Sequence, residues 1–147
     1  REGLDLVTAG EGPLSKDVPF GFWRLLVQLG EGQLALDLCQ DAMRNAAAAL
    51  DHARVEGSLI GEARSHFLLS QVLDRQHLSE KGDRHHAEAL RTFQKMGDRQ
   101  SQAECLLDRA ARRPGLETES LEVALELSRQ VAWGDGVRQA SRLLAGE

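Results

Sequence analysis

Two kinds of side chain in this sequence are typical metal ligands or nucleophiles, the histidines and the cysteines. His85 and His86 are neighbours, so on a helix they point about 100° apart and do not chelate one ion together. We expect His86 to face the core and His85 to face solvent. Cys39 and Cys105 match no metal or redox spacing, and a cysteine nucleophile needs a histidine beside it in space. We therefore predict two buried thiols, no metal and no cofactor.

The other candidates for chemistry are a glycine-rich stretch and a set of charged residues. The stretch "GEGPLSK" lacks the G-x-x-x-x-G-K-[ST] spacing of a phosphate loop, and Pro13 has no N–H to direct at a phosphate. The carboxylates stand beside arginines at helical spacing, which is typical of solvated or partner-facing charge; they are Glu62, Asp74, Glu104 and Asp108. No acid/base pair stands apart, so we predict that the chain is not an enzyme.

Composition limits the classes of partner. The 147 residues include 41% hydrophobic and only 4% aromatic residues, with Leu and Ala prominent, which favours helices. A formal net charge of −5 argues against a nucleic-acid binder, which would need a basic stripe. No apolar run reaches the roughly 18 residues of a membrane span. We predict a cytoplasmic protein with no nucleic-acid or membrane partner, and we read Arg1 at the start as the sign of an excised piece.

A pattern of small residues repeats along the chain. An Ala-Leu pair is followed by a glycine, and six residues after each glycine stands an alanine. The three sets are Ala49-Leu50, Gly57 and Ala63, then Ala89-Leu90, Gly97 and Ala103, then Ala124-Leu125, Gly134 and Ala140. Ala42 and Gly82 are also forty residues apart. Of the two alternatives for Gly82, a turn or a close helix crossing, this spacing favours the crossing. We therefore predict Ala63, Ala103 and Gly82 to be tight packing positions.

The pattern predicts an all-α chain of about six or seven helices. Predicted starts and stops are Ser58, Asp98 and Asp135 as caps, Gly97 as a left-handed end, and Gly134 as a second end of that type. Residues 1–18 are predicted to be an irregular leader, with a weak strand signal at Leu4–Val7. The predicted helices cover Phe20–Leu29, Gln33–Glu56, Ser58–Gln76, Ser79–Met96, 99–113, Thr118–Ala132 and Val137–Ala145, with a stop at Pro114-Gly115.

The second unit resembles the tetratricopeptide repeat in its longer variety, roughly "AL…F…GDR…A…L". It matches that pattern at Ala89, Leu90, Phe93, Gly97, Asp98, Arg99, Ala103 and Leu107. The first unit departs from it at Val55, Glu56 and Ser58, and the third carries extra residues before Gly134. The resemblance spans residues 19–145 and implies a domain at 19–147 with about three helical-hairpin repeats plus a terminal helix, in an α-solenoid. HEAT-like or generic helical hairpins remain an alternative.

The resemblance implies a module that binds a protein or peptide, as a sensor or scaffold part of a larger signalling or transcription-regulatory protein. The first helix of each repeat would line a concave face. By helical phase we predict partner-binding residues there: Arg64, Phe67, Gln71, Asp74, Arg75, Glu104, Leu107, Asp108 and Arg112. A structural or self-association element and a small-molecule sensor are the alternatives. Leu143 and Leu144 in the terminal helix predict either a cap packed on the preceding hairpin or a homo-oligomer contact.

Overall fold

The structure, a computed structural model, describes residues 18–113 and 118–146, and every regular element in those ranges is an α-helix. The seven are α1 (Phe22–Ala35), α2 (Cys39–Glu56), α3 (Leu59–Arg75), α4 (Ser79–Met96), α5 (Arg99–Arg112), α6 (Thr118–Gln130) and α7 (Gly134–Leu144). The predicted all-α class and the predicted bounds of α4 are confirmed. The predicted leader, except its last residue, and the stop at Pro114-Gly115 lie outside the described residues.

The chain divides into two compact units, and the division falls within α4. The first unit is Arg1–Thr92 and the second is Phe93–Glu147. Within the first unit, α2 packs against both α1 and α3, and α1 also contacts α3. Within the second unit, α6 packs against both α5 and α7, and α5 also contacts α7.

The first four helices end on left-handed residues at a constant interval. These are Asp37, Gly57, His77 and Gly97, each twenty residues after the one before. After each of them, the next backbone N–H donates to a carbonyl five residues back, as in Ser58 N to Ala53 O at 2.8 Å and Asp98 N to Phe93 O at 2.9 Å. The prediction was right at Gly97. It missed Asp37 and His77, because a non-glycine residue gives little signal for this conformation.

Side-chain caps start two of the helices, as predicted. Ser58 Oγ accepts from Gly61 N at 3.0 Å, and Asp98 Oδ1 accepts from Ser101 N at 3.1 Å. The predicted helix end at Gly134 and the predicted cap at Asp135 were placed wrongly. The left-handed residue is Ala132, and the residue before α7 is Trp133, which makes no side-chain cap bond. Asp135 instead pairs with Arg138 inside the first turn.

This shift changes the register of the third set of small residues. Ala140 lies seven residues after its N-cap residue Trp133, just as Ser65 and Cys105 lie seven after Ser58 and Asp98. Ala140 therefore corresponds to Ser65 and Cys105, and its six-residue distance from Gly134 is not part of the repeat. Ala63, Ala103 and Ala140 are nevertheless all fully buried.

The first helix runs through two glycines that were predicted to break it. α1 continues past Gly30 and Gly32, and the break lies at Asp37 instead. Gly30 is a packing residue, because a Cβ there would lie 2.7 Å from Leu68 Cδ2 and 3.5 Å from the carbonyl oxygen of Ala42. Its side of the helix is buried, so the glycine permits close packing and does not end the helix.

Forty residues later the same kind of crossing recurs. A Cβ on Gly82 of α4 would lie 3.2 Å from the carbonyl oxygen of Ser70 in α3. Ser70 stands forty residues after Gly30, and Gly82 stands forty residues after Ala42. The prediction that Gly82 marks a close helix crossing is confirmed.

The core of the first unit consists of large residues from α1 and α3 packed on alanines of α2. The buried cluster includes Trp23, Leu26, Leu34, Ala42, Ala46, Ala49, Ala53, Leu68, Leu69 and Val72. Both ends of α1 are held by neighbouring helices. Gly21 N donates to the carboxylate of Glu56 at 2.9 Å, and Arg75 Nη1 donates to Leu34 O at 3.4 Å. An anion at the N-terminus and a cation at the C-terminus both match the helix dipole.

The core of the second unit brings together small and apolar residues of α5, α6 and α7. Its buried members are Leu107, Ala110, Leu121, Ala124 and Ala140. Leu143 and Leu144 are half-buried and pack against this cluster. Of the two predicted outcomes for the terminal helix, this packing favours the cap.

We expect Gly61→Ala to destabilise the first unit. A Cβ there would lie 2.7 Å from Ala53 Cβ and 2.8 Å from the Trp23 ring, and neither neighbour is the far end of a flexible side chain. Overpacking of this kind costs roughly 1–3 kcal/mol. Gly32→Ala is the control, since a Cβ on Gly32 meets nothing within 4 Å and alanine favours a helix by up to about 1 kcal/mol. Urea unfolding should shift the two midpoints in opposite directions, and equal shifts would contradict the packing described for Gly61.

A second prediction concerns α7. Replacing Leu143 and Leu144 together with Ser should lower the unfolding free energy of the chain by roughly 1–3 kcal/mol, because both side chains leave an apolar cluster. Val123→Ser, at an exposed position of the same unit, should change it little. Thermal melts followed by circular dichroism measure both, and a double variant as stable as the parent would show that α7 does not stabilise the unit.

Candidate functional site

A cleft of about 290 Å³ opens between α1 and α3 of the first unit. Its lining comes from five residues of α1 and two of α3, namely Trp23, Arg24, Val27, Gln28, Glu31, Ile60 and Arg64. The cleft exists because α1 and α3 both pack on α2 and meet beside it. Of the predicted partner-binding residues, Arg64 lies in this cleft.

The cleft lining includes one pair of repeat-equivalent residues. Arg24 and Arg64 stand forty residues apart, and so do Val27 and Phe67. The third such pair is Glu31 and Gln71. The helical phase that predicted Arg64, Phe67 and Gln71 on α3 therefore also selects residues of α1. The sequence prediction missed this half of the site because it began the repeat at Ala49 and assigned binding residues only to the later helices. The forty-residue interval, extended back from Arg64 to Arg24, is the signal that identifies it.

The cleft combines an apolar floor with a charged rim. Trp23 is only 5% exposed, and the Arg24 guanidinium lies 4.6 Å from the centroid of its ring. Val27 is buried and Ile60 half-buried. Two arginines and one glutamate surround these side chains. Such a surface can hold an apolar side chain and place an acidic group beside a guanidinium.

The four other predicted residues of α3 do not line the cleft. Phe67, Gln71 and Asp74 are half-buried. Arg75 is exposed, but its guanidinium binds Leu34 O and, at 3.4 Å, Asp37 Oδ1. Arg75 thus closes the C-terminal turn of α1, which gives it a structural contact that helical phase does not reveal.

The predicted residues of α5 include one error. Leu107 is 1% exposed and belongs to the core of the second unit, so it is not a surface residue. Its face of α5 is covered because α6 and α7 both pack on that helix. Glu104 is half-buried and accepts from Gln100 Nε2 at 3.4 Å, and Asp108 forms an ion pair with Arg112 at 2.7 Å along the helix.

The histidines are arranged differently from the prediction in one respect. His86 is buried, as predicted. His85 does not face solvent alone, because its Nδ1 lies 2.9 Å from Nδ1 of His66 across α3 and α4. At this distance the two nitrogens form a hydrogen bond, in which one Nδ1 carries a proton that the other accepts. The ring centroids are 5.1 Å apart. Nineteen residues separate the two in sequence, and no local spacing predicts the contact.

Burial keeps this pair of histidines neutral. Burial is the main cause that lowers the pKa of His66, to about 4, and the charges of His85 and Arg54 act in the same direction. The pKa of His85 is also lowered, mainly by burial, although the charge of Glu88 opposes this. Arg91 adds a further positive charge near His66. Protonation of both rings would put a hydrogen on each Nδ1, which would break the hydrogen bond and place two cations together.

The cysteines give no sign of a nucleophile. Cys105 is buried, as predicted, whereas Cys39 is half-buried with its Sγ 3.7 Å from Asp37 Oδ1. Burial and the charge of Asp37 raise the pKa of Cys39, which disfavours the thiolate. Across residues 18–113 and 118–146 no group of three or more His, Cys, Asp or Glu side chains is placed to hold a metal ion. In the same ranges no helix is long and apolar enough to cross a bilayer.

No protein-family model matches this chain, and neither a curated protein nor a solved structure shows significant similarity to it. The resemblance to tetratricopeptide repeats therefore stays a prediction from the residues that carry it. The site has to be interpreted from its own geometry.

We expect the histidine pair to make stability depend on pH. The folded pKa of His66 is lowered from 6.5 to about 4, so as pH falls below 6.5 the unfolded chain binds the proton first. The stability that neutral His66 contributes is thus complete above pH 6.5 and is lost between pH 6.5 and about 4, with a slope of at most about 1.4 kcal/mol per pH unit for one proton. Urea unfolding across this range should show a shallower loss in the His66→Gln/His85→Gln variant. The control is His77→Asn, which removes an exposed imidazole at a left-handed position that asparagine tolerates and should follow the parent. An unchanged slope in the double variant would contradict this account.

Proposed function

We propose that this chain is a helical-hairpin repeat module that binds a peptide or protein segment in the cleft between α1 and α3. The observation that carries the proposal is that Arg24 and Arg64, forty residues apart, both line the cleft. The same interval relates the cleft residues Val27 and Glu31 of α1 to Phe67 and Gln71, farther along α3. Equivalent faces side by side form a surface that continues from one helix to the next. An extended surface of this kind suits a chain segment better than a small compact ligand.

Regular helix spacing supports the repeat interpretation. α2 and α4 begin and end forty residues apart, and so do the starts of α3 and α5. The helix crossings at Gly30 with Ala42 and at Ser70 with Gly82 follow the same interval. Each hairpin of this kind contacts its neighbours in sequence, which is how tetratricopeptide and similar arrays are built.

Cleft chemistry suggests the type of segment that would bind. Trp23, Val27 and Ile60 provide an apolar surface, and Arg24 and Arg64 lie beside it. We propose a ligand with an apolar side chain next to a carboxylate, either an Asp or Glu side chain or a chain terminus. A guanidinium binds a carboxylate with two parallel hydrogen bonds, which fixes orientation, and the apolar contact supplies most of the affinity.

The tetratricopeptide resemblance extends the proposal to biological context. Modules of that type serve as sensor or scaffold parts of larger signalling and transcription-regulatory proteins, and we propose a role of this kind in the cytoplasm. No catalytic role is proposed for any residue of the chain.

Selection of a ligand from a random-peptide display library tests the proposal. Trp23 lies in the floor of the cleft, so in a Trp133→Phe background its fluorescence reports occupancy. We expect selected peptides to carry an apolar residue beside an acidic one. Arg24→Glu/Arg64→Glu should weaken their binding by at least about tenfold, which corresponds to about 1.4 kcal/mol.

The matched control reverses two exposed arginines outside the cleft, Arg44→Glu/Arg84→Glu. That variant should bind like the parent, which separates a local contact from long-range charge. Equal losses in both variants, or peptides whose binding leaves Trp23 fluorescence unchanged, would contradict the proposed site. Arg75 is unsuitable for this test, because reversing its charge would disturb the end of α1.

A further inference from the structure

The facing histidines of α3 and α4 form a pair of imidazole groups that the peptide cleft does not use. His66 Nδ1 and His85 Nδ1 lie 2.9 Å apart, and the ring planes are tilted by 30°. Both residues are half-buried, so each helix holds its ring in place while part of the pair stays open to water. Arg64 of the cleft stands two residues before His66, about 200° around the helix. The pair therefore lies on another side of α3 and is a separate site.

The two nitrogens are almost at the spacing of two ligands on one metal ion. A tetrahedral Zn²⁺ with ligands at about 2.0 Å holds two nitrogens about 3.3 Å apart. Binding of such an ion would therefore widen the pair from 2.9 Å by about 0.4 Å and turn both nitrogen lone pairs toward the ion. Small rotations of two half-buried side chains supply this change without a shift of either helix.

The protonation state of the pair suits a metal ligand, because an imidazole must be neutral to bind an ion. Burial lowers the pKa of both histidines, so neither ring has a positive charge to lose at neutral pH. The neutral pair has one proton on each ring, and one of these protons lies on the Nδ1 that donates the hydrogen bond. When an ion takes both Nδ1 lone pairs, that proton moves through solvent to Nε2 of the same ring. No proton is released overall.

The charged neighbours of the pair are balanced in sign. Glu88 and Arg54 act electrostatically on both imidazoles, and Arg91 acts on His66. Arg91 forms an ion pair with Glu88, and Arg54 forms one with Glu62 at 3.7 Å. Two carboxylates and two guanidinium groups add no net charge, so a divalent cation meets no excess of positive charge from these four side chains.

We propose that His66 and His85 bind one divalent transition-metal ion through their Nδ1 atoms, with water in the remaining ligand positions. Imidazole nitrogen suits Zn²⁺, Cu²⁺ and Ni²⁺, whereas Mg²⁺ and Ca²⁺ prefer oxygen. In the part of the chain that the structure describes, no group of three or more ligand side chains is placed around one ion, so binding is weaker than at a closed four-ligand site.

The bound ion would join α3 to α4. The sequence prediction of no metal compared His85 only with its neighbour His86, whereas the second ligand lies on another helix. The proposal does not rest on peptide binding in the cleft.

Isothermal titration calorimetry of the full, untagged chain with zinc chloride near neutral pH tests the proposal. We expect the parent to bind Zn²⁺, and His66→Gln/His85→Gln to raise the dissociation constant by at least about tenfold because both ligands are lost. His77→Asn and Cys39→Ser are the matched controls, since each removes a zinc-binding side chain away from the pair, and both should bind like the parent. A parent that binds no Zn²⁺, or a double variant that binds like the parent, overturns the proposal.

Nitrogen NMR of the parent chain tests the two ligand atoms without any substitution. Two-bond correlations between ring protons and ring nitrogens show which nitrogen of each imidazole carries hydrogen. We expect the proton on Nδ1 to disappear at saturating Zn²⁺, so that His66 and His85 both carry hydrogen on Nε2 alone. Ring nitrogens that do not change when Zn²⁺ is added place the ion elsewhere and overturn the proposal. Circular dichroism of His66→Gln/His85→Gln confirms that the helices are retained.

Discussion

The arrangement of the first unit depends on a few glycines that let two helices pack closely. A Cβ on Gly61 would lie 2.7 Å from Ala53 Cβ, one on Gly30 would lie 2.7 Å from Leu68 Cδ2, and one on Gly82 would lie 3.2 Å from Ser70 O. Close approach sets how far α1 and α3 stand from α2, and therefore from each other. The cleft lies between α1 and α3, so its width depends on residues that do not line it. A methyl group added at Gly61 would move the two helices that form the site.

The sequence predicted helices best where two local signals coincide. Gly97 and Asp98 combine a left-handed end with a side-chain cap, and the end of α4 and the start of α5 followed from them. A glycine alone was ambiguous, because the same residue type permits a turn, a close crossing or neither. Gly30 was taken for a break although it packs against Leu68, and Gly134 for a helix end although Ala132 has that role. Only the tertiary neighbours of a glycine decide among these uses.

The candidate site was predicted in part, because helical phase identifies a face and not what covers it. Arg64 lies in the cleft, yet Leu107, which the same phase selected on α5, is covered by the packing of two other helices. Arg75 lies at the helical phase of the predicted binding face, but its guanidinium binds the C-terminal turn of α1. The contact between His66 and His85 joins residues of two helices, and its effect on pKa exists only in the folded chain. Long-range contacts of these kinds leave no mark on local spacing.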